Sequence, residues 1–210
     1  IRRIDSSEIA LVPDSFGGVT PKVIVREGDC VKAGDALFVD KKYPEMKFAS
    51  PISGIVKAVV RGDRRKVLYV KVKADETQQF VDFGIKDIEK LDGKAIKETL
   101  LASGLFSFIQ QLPYAVTTTP DTMPKAIFVS AFRDMPLASD FEVELKGNEK
   151  DFQTGLTALS KIQKTYLGLS VYQTASALVN AKDVEINVFD GKCPAGNVGV
   201  QVNQIGRAHV

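Results

Sequence analysis

The residues best suited to chemistry lie late in the chain, in Asp190-Gly191-Lys192-Cys193-Pro194-Ala195-Gly196-Asn197-Val198-Gly199. Glycine lets a backbone come close to a ligand, and bare N–H groups beside a lysine can receive an anion. Gly191, Lys192, Pro194, Gly196 and Gly199 are therefore the candidate binding loop. A plain turn leading on from the sheet is the competing reading. A second cluster is basic: Arg61, Arg64, Arg65 and Lys66. Between Lys41 and Lys73 there are ten Lys/Arg against two acids, Glu45 and Asp63. Such a run is either a sheet edge guarded by lysines or a face that docks an acidic partner or anionic headgroups. Asp134, Asp140 and Glu142 are close in sequence and read as solvating a polar loop. No nucleophile–base pair is legible, so no catalytic residue is assigned. The one histidine, His209, lies in the terminal stretch expected below to be non-native, so no Ser/His/Asp triad is expected. Cys30 and Cys193 form no CxxC, so no metal ligand set is assigned, and both read as free thiols in a reducing compartment.

These residues need a frame to hold them. From residue 8 to 73, short apolar runs (EIALV, KVIV, ALFVD, MKFA, GIVKAVV, VLYVKV) are separated by turn residues. Val67-Leu68-Tyr69-Val70-Lys71-Val72-Lys73 alternates with the period of a strand. Gly28-Asp29, Gly34-Asp35 and the Pro51–Gly54 corner punctuate the runs, as a small bent β-sandwich requires. Asp92 is placed to cap a helix that carries Ile96 and Leu100 and stops at Gly104. PYAVTTTPDTMP, 113 to 124, reads as a linker. KAIFVSA, a helix near Lys150 to Lys161 with Phe152, Leu156 and Leu159 in one stripe, TYLGLSVY, TASALVNA and VEINVF then alternate strand and helix. That order predicts a parallel, doubly wound sheet. The expected domains are a barrel-sandwich over 1–75, a connector with helix over 76–124 and a truncated Rossmann-like α/β domain over 125–204.

The 210 residues suffice for two small cores, and 44% hydrophobic with 26% charged is ordinary globular composition. A net charge of +2 is too small to suggest nucleic acid. No apolar run is long enough to span a bilayer, so a membrane link would come through a partner or a surface contact. The chain does not start with Met and stops abruptly, which suggests a fragment. Its last six residues, IGRAHV, can be encoded by ATC GGA AGA GCA CAC GTC, a common sequencing-adapter string. Residues 205–210 are therefore expected to be non-native.

Gly28-Asp29, Gly34-Asp35 and Ser50-Pro51-Ile52-Ser53-Gly54 resemble the lipoyl/biotinyl-like fold. Asp40-Lys41 resembles the lipoyl D-K-A tip and Met46-Lys47-Phe48 the biotin Met-Lys-Met. The loop is longer, however, and holds Pro44, so Lys41, Lys42 and Lys47 are expected to be ordinary hairpin lysines. More of the chain, residues 8 to 204, resembles the A subunits of Na⁺-translocating NADH:quinone oxidoreductases. DKKYPEMKFASPISG, KAIFVSAFRDMPLA and FDGKCPAGNVG carry that resemblance. It implies a subunit held by its partners on the cytoplasmic face of the bacterial inner membrane. The complex would oxidise NADH, reduce quinone and export Na⁺, with FAD, FMN and iron–sulfur centres in other subunits. A scaffolding role fits that resemblance, and the loop 190–199 is read either as a turn toward the next domain or as a quinone or inter-subunit contact.

The fold is akin to the NADH- and FMN-binding subunit of respiratory complex I, where a glycine-rich loop after a helix ending S-G-L cradles the FMN phosphate. Here Ser103-Gly104-Leu105 leads into FSFIQQLPY. Phe106, Phe108 and Ile109 are expected to fill the cradle. Nor does G-x-G-x-x-G follow the strand at 125–131, where Phe132-Arg133-Asp134-Met135-Pro136 stands instead. No FMN or NADH is therefore expected on this chain. The alternatives are the C subunit of an Rnf-type electron-transport complex and a biotin or lipoyl carrier module.

Overall fold

The computed structural model describes residues 6–84 and 87–208. The chain divides into two compact units, Ile1–Ile85 with Lys97–Thr122, and Lys86–Ile96 with Met123–Val210.

The first unit is a β-sandwich. Its strands are β1 (Glu8–Leu11), β2 (Pro21–Val23), β3 (Cys30–Val31), β4 (Ala36–Asp40), β5 (Lys47–Ala49), β6 (Gly54–Arg61) and β7 (Val67–Ala74). One antiparallel sheet runs β1-β7-β6-β3 and the other β2-β4-β5. Leu37, Phe38, Phe48, Val56, Val70 and Val72 fill the core between them. Phe38 and Phe48 stack at 4.6 Å, with Phe16 edge-on to Phe48 at 4.8 Å. Each such side chain contributes about 1.5–3 kcal/mol of burial.

The punctuation has a physical reason at every corner. Gly28 and Gly34 have positive φ. The following aspartates, Asp29 and Asp35, accept the amides of Arg26 and Lys32, each at 2.7 Å. Two identical Gly-Asp turns result. At the Ser-Pro-Ile-Ser-Gly corner, buried Ser53 accepts the Gln79 amide at 2.9 Å, and its own amide donates to Gln78 Oε1 at 2.8 Å. A Cβ on Gly54 would run into the Lys73 carbonyl oxygen, so only glycine lets β6 start there.

Helix α1 (Gly93–Ser103) begins in the second unit and ends in the first. Asp92 Oδ1 accepts the Ala95 amide at 2.8 Å, as its capping position predicts. Gly104, at φ 79°, ends the helix. The stretch read as a linker carries a strand: β8 (Gln110–Gln111) pairs antiparallel with β9 (Val116–Thr117). Its threonines hid a two-stranded hairpin too short to show a period.

In the second unit β10 (Ile127–Ala131), α2 (Phe141–Leu145), α3 (Glu149–Ile162), β11 (Thr165–Ser170), α4 (Ser176–Val179), β12 (Glu185–Phe189) and α5 (Val198–Ala208) follow in order. β10, β11 and β12 are parallel and adjacent in that order. Leu167 and Leu169 of β11 pack on one face with Leu156 of α3 and Leu178 of α4. Between them Gly168 faces the other side, where a Cβ would meet Gln201 of α5. Helices thus cover both faces, as a doubly wound sheet demands. Ile205 is buried within α5; His209 and Val210 lie outside the described residues.

Candidate functional site

The loop between β12 and α5 borders an open cleft of about 610 Å³, lined by Asn187, Phe189, Lys192, Pro194, Gln204 and Ile205 among others. Of the residues singled out in sequence, Lys192 and Pro194 line it. Gly191 is exposed at φ 144°, and Gly196 and Gly199 have internal duties.

Those duties decide what the loop can bind. Gly196 N donates to Asp134 Oδ2 at 2.9 Å. Gly199 N donates to Asn197 Oδ1 at 2.8 Å, which caps α5. The amides of Ala195 and Asn197 donate to the carbonyls of Lys192 and Pro194, at 3.0 and 2.9 Å. Val200 and Gln201 donate to Asn197 O. The amides of Ala195, Gly196, Asn197, Gly199, Val200 and Gln201 are thus satisfied from within, and a carboxylate already stands at Gly196. A Cβ on Gly196 would lie 2.5 Å from Asp134 Oδ1, so this glycine serves the carboxylate's approach. Asp134 is therefore more than the loop-solvating residue its sequence context suggests. Asp140 caps α2 through the Glu142 amide at 2.9 Å, and Glu142 Oε1 accepts the Thr174 hydroxyl at 3.0 Å. All three acids have structural partners. Sequence reading missed Asp134 because its partner lies 62 residues on.

The loop after β10 is braced as well. Arg133 Nη1 donates to Ser139 and to both carboxylate oxygens of Glu144, at 3.0 and 3.2 Å, and its guanidinium lies over Phe141. Ser139, and then Arg133, hold the Glu144 carboxyl below its usual range. Cys193 Sγ sits 3.9 Å from Met135 Sδ. Cys30 and Cys193 are both free and exposed.

The turn after α1 is closed by bulk. A Cβ on Gly104 would come within 2.9 Å of Ala49 Cβ and 3.1 Å of Ala49 N. Phe106 is buried at 6% exposure, and buried Ser107 donates its hydroxyl to Gly104 O at 2.7 Å. The expectation that Phe108 also fills this space is corrected: it is 69% exposed, with its ring 5.8 Å from Phe16. Ile109 is half-buried.

Two basic hairpin tips complete the inventory. At the β4–β5 tip, buried Asp40 accepts the amides of Thr20, Lys42 and Tyr43, at 2.8, 2.7 and 3.0 Å. Lys41, Lys42 and Lys47 are exposed. Tyr43 raises the Lys42 pKa, which makes its amine less nucleophilic. At the β6–β7 tip, Asp63-Arg64-Arg65-Lys66 closes with Lys66 N donating to Asp63 O at 3.1 Å. Arg64 (φ 53°) and Arg65 (φ 61°) occupy the two central positions. Positive φ at both is the type I′ pattern, which favours Asn-Gly. The left-handed region costs a non-glycine residue about 1–2 kcal/mol. Arg61 Nη1 reaches Arg65 O at 3.3 Å, while Lys66 turns aside to Asp14 at 2.6 Å. The tip thus gathers Arg61, Arg64 and Arg65, and Lys66 is diverted.

An antiparallel barrel-sandwich followed by a parallel α/β unit with helices on both faces defines a mixed, two-part fold class. The model of the NqrA N-terminal barrel-sandwich hybrid domain matches residues 2–75, and that of the NqrA second alpha/beta domain matches 91–209. The chain belongs to the NqrA family. It is 34% identical over 199 residues to the A subunit of the Na(+)-translocating NADH-quinone reductase of Yersinia pseudotuberculosis serotype O:1b (strain IP 31758). It is 34% identical over 203 residues to that of Actinobacillus pleuropneumoniae serotype 5b (strain L20). These alignments cover 93% and 94% of this chain but 44% and 45% of the relatives, so it spans less than half their length. Among the described residues no helix is long and apolar enough to cross a membrane, and no three His, Cys, Asp or Glu side chains gather as a metal set.

Proposed function

We propose that this chain is a scaffolding portion of the NqrA subunit in a Na⁺-translocating NADH:quinone reductase. It sits on the cytoplasmic face of the bacterial inner membrane, held there by partner subunits. It carries no redox cofactor of its own: FAD, FMN and iron–sulfur centres, with the NADH site, belong to the rest of the complex. The enzymatic label is then a property of the assembly, and this chain's part is to position partners for electron transfer. One observation carries the reading: Asp134 already occupies the Gly196 amide at 2.9 Å, where an incoming phosphate would need a free donor.

A second reading gives the cleft beside β12 to the quinone. Its wall joins apolar Val188, Phe189, Val200 and Ile205 to polar Lys192 and Gln204, a mix that suits an apolar ring with carbonyl oxygens. The loop Gly191, Lys192, Pro194, Gly196 and Gly199 would then form one side of a quinone or inter-subunit contact.

Pull-down of the full-length protein from native membranes tests the main reading. Co-purification with flavin-bearing membrane subunits is the expected result. A soluble monomer that retains FMN would overturn it.

A further inference from the structure

We propose that the β6–β7 tip is a docking point for an acidic protein segment, through Arg61, Arg64 and Arg65. This rests on the scaffolding reading and narrows it to one surface and one kind of partner. Backbone comes first. Arg64 and Arg65 hold both central positions of a type I′ turn at positive φ, where Asn-Gly would be relaxed. No buried side chain needs them there, since both are exposed. Strain kept without a packing return marks a site under another demand.

Charge indicates what that demand is. Three neighbouring lysines are engaged: Lys57 and Lys71 share the single carboxylate of Glu8, at 2.9 and 3.2 Å, and Lys66 holds Asp14. Among the described residues Arg61, Arg64 and Arg65 make no ion pair. At this end of the hairpin the positive charge left without an ion-pair partner sits on three guanidinium groups. An anionic membrane asks for a broad face of basic residues. Arg64 and Arg65 on the turn, with Arg61 at the end of β6, suit a short run of Asp and Glu, each carboxylate taken two-pronged.

The test uses the full-length protein re-bound to complexes stripped of it, with NaCl raised stepwise. The variant Arg64→Asn/Arg65→Gly keeps the turn and removes its strain. Its melting temperature should rise by about 2–6 °C, while its binding to the stripped complex weakens about tenfold and becomes less salt-sensitive. Lys57→Gln/Lys71→Gln removes the same charge from the same sheet and should leave binding unchanged. Binding indifferent to the arginines would overturn the proposal, as would equal losses from both variants. Loss matched on protein-free vesicles containing phosphatidylserine would assign the tip to lipid instead. Failure of the unaltered protein to re-bind would overturn the scaffolding reading as well.

Discussion

Two glycine turns of this molecule offered themselves in the sequence as places for an anion, and they are closed in different ways. Gly104 is closed by bulk: Ala49 crowds it and Phe106 is buried beside it. Gly196 is closed by charge: its amide is held by the Asp134 carboxylate. Part of the bulk is written locally, in Phe106 two residues after the glycine, and part comes from Ala49 of β5. Charge is supplied from a distant loop and shows only once the chain is folded. Neither closure needs the glycine to be lost.

If Phe106 is a true core residue of the first turn, Phe106→Ala should cost about 3–5 kcal/mol in urea unfolding of the barrel unit. A loss below about 1 kcal/mol would mean that the side chain fills no space and the steric closure fails. Gly104→Ala comes next. It adds a Cβ at φ 79° against Ala49 and should cost about 2–3 kcal/mol by the same measurement. For the second turn, Asp134→Ala should destabilise the α/β unit by about 1–3 kcal/mol. It should also leave the Gly196 amide open, so that inorganic phosphate shifts its NMR resonance in the variant only. A phosphate shift in the unaltered protein would remove the contrast between the turns.

Much of the scaffold is legible in the sequence, and the reason differs by region. Apolar runs cut by Gly-Asp pairs report β3 to β7 because each turn is closed by its own aspartate, three residues from its amide partner. Asp92 and Gly104 bracket α1 for equally local reasons. The parallel sheet is legible as alternating apolar blocks, since β11 is buried on both faces. Less is legible where partners are remote. Asp134 and Gly196 meet across most of the α/β unit, and Arg64 and Arg65 look like ordinary basic residues until their φ values are known. Phe108 is apolar yet exposed, which composition alone does not reveal. The β8–β9 hairpin is too short for any period.

The smallest expected effect concerns acid. Glu144 braces the loop that carries Asp134, and Ser139 and Arg133 lower its pKa below the ordinary 4.5. A depressed carboxyl stabilises the fold above its unfolded pKa and loses that contribution as pH falls through the folded value. Amide protection in residues 133–144, measured relative to the intrinsic exchange rate at each pH, should therefore fall modestly below about pH 4.5, and Glu144→Gln should abolish that pH dependence. A variant with the unaltered profile would show that another group governs the loop.

Closure of both turns to phosphate is tested most directly by calorimetric titration of the purified chain with FMN and with NADH, read together with amide exchange over 103–111 and 191–199. The prediction is no saturable heat and no added protection at either turn. One-to-one binding of either nucleotide, with protection gained at Gly104 or Gly196, would contradict it.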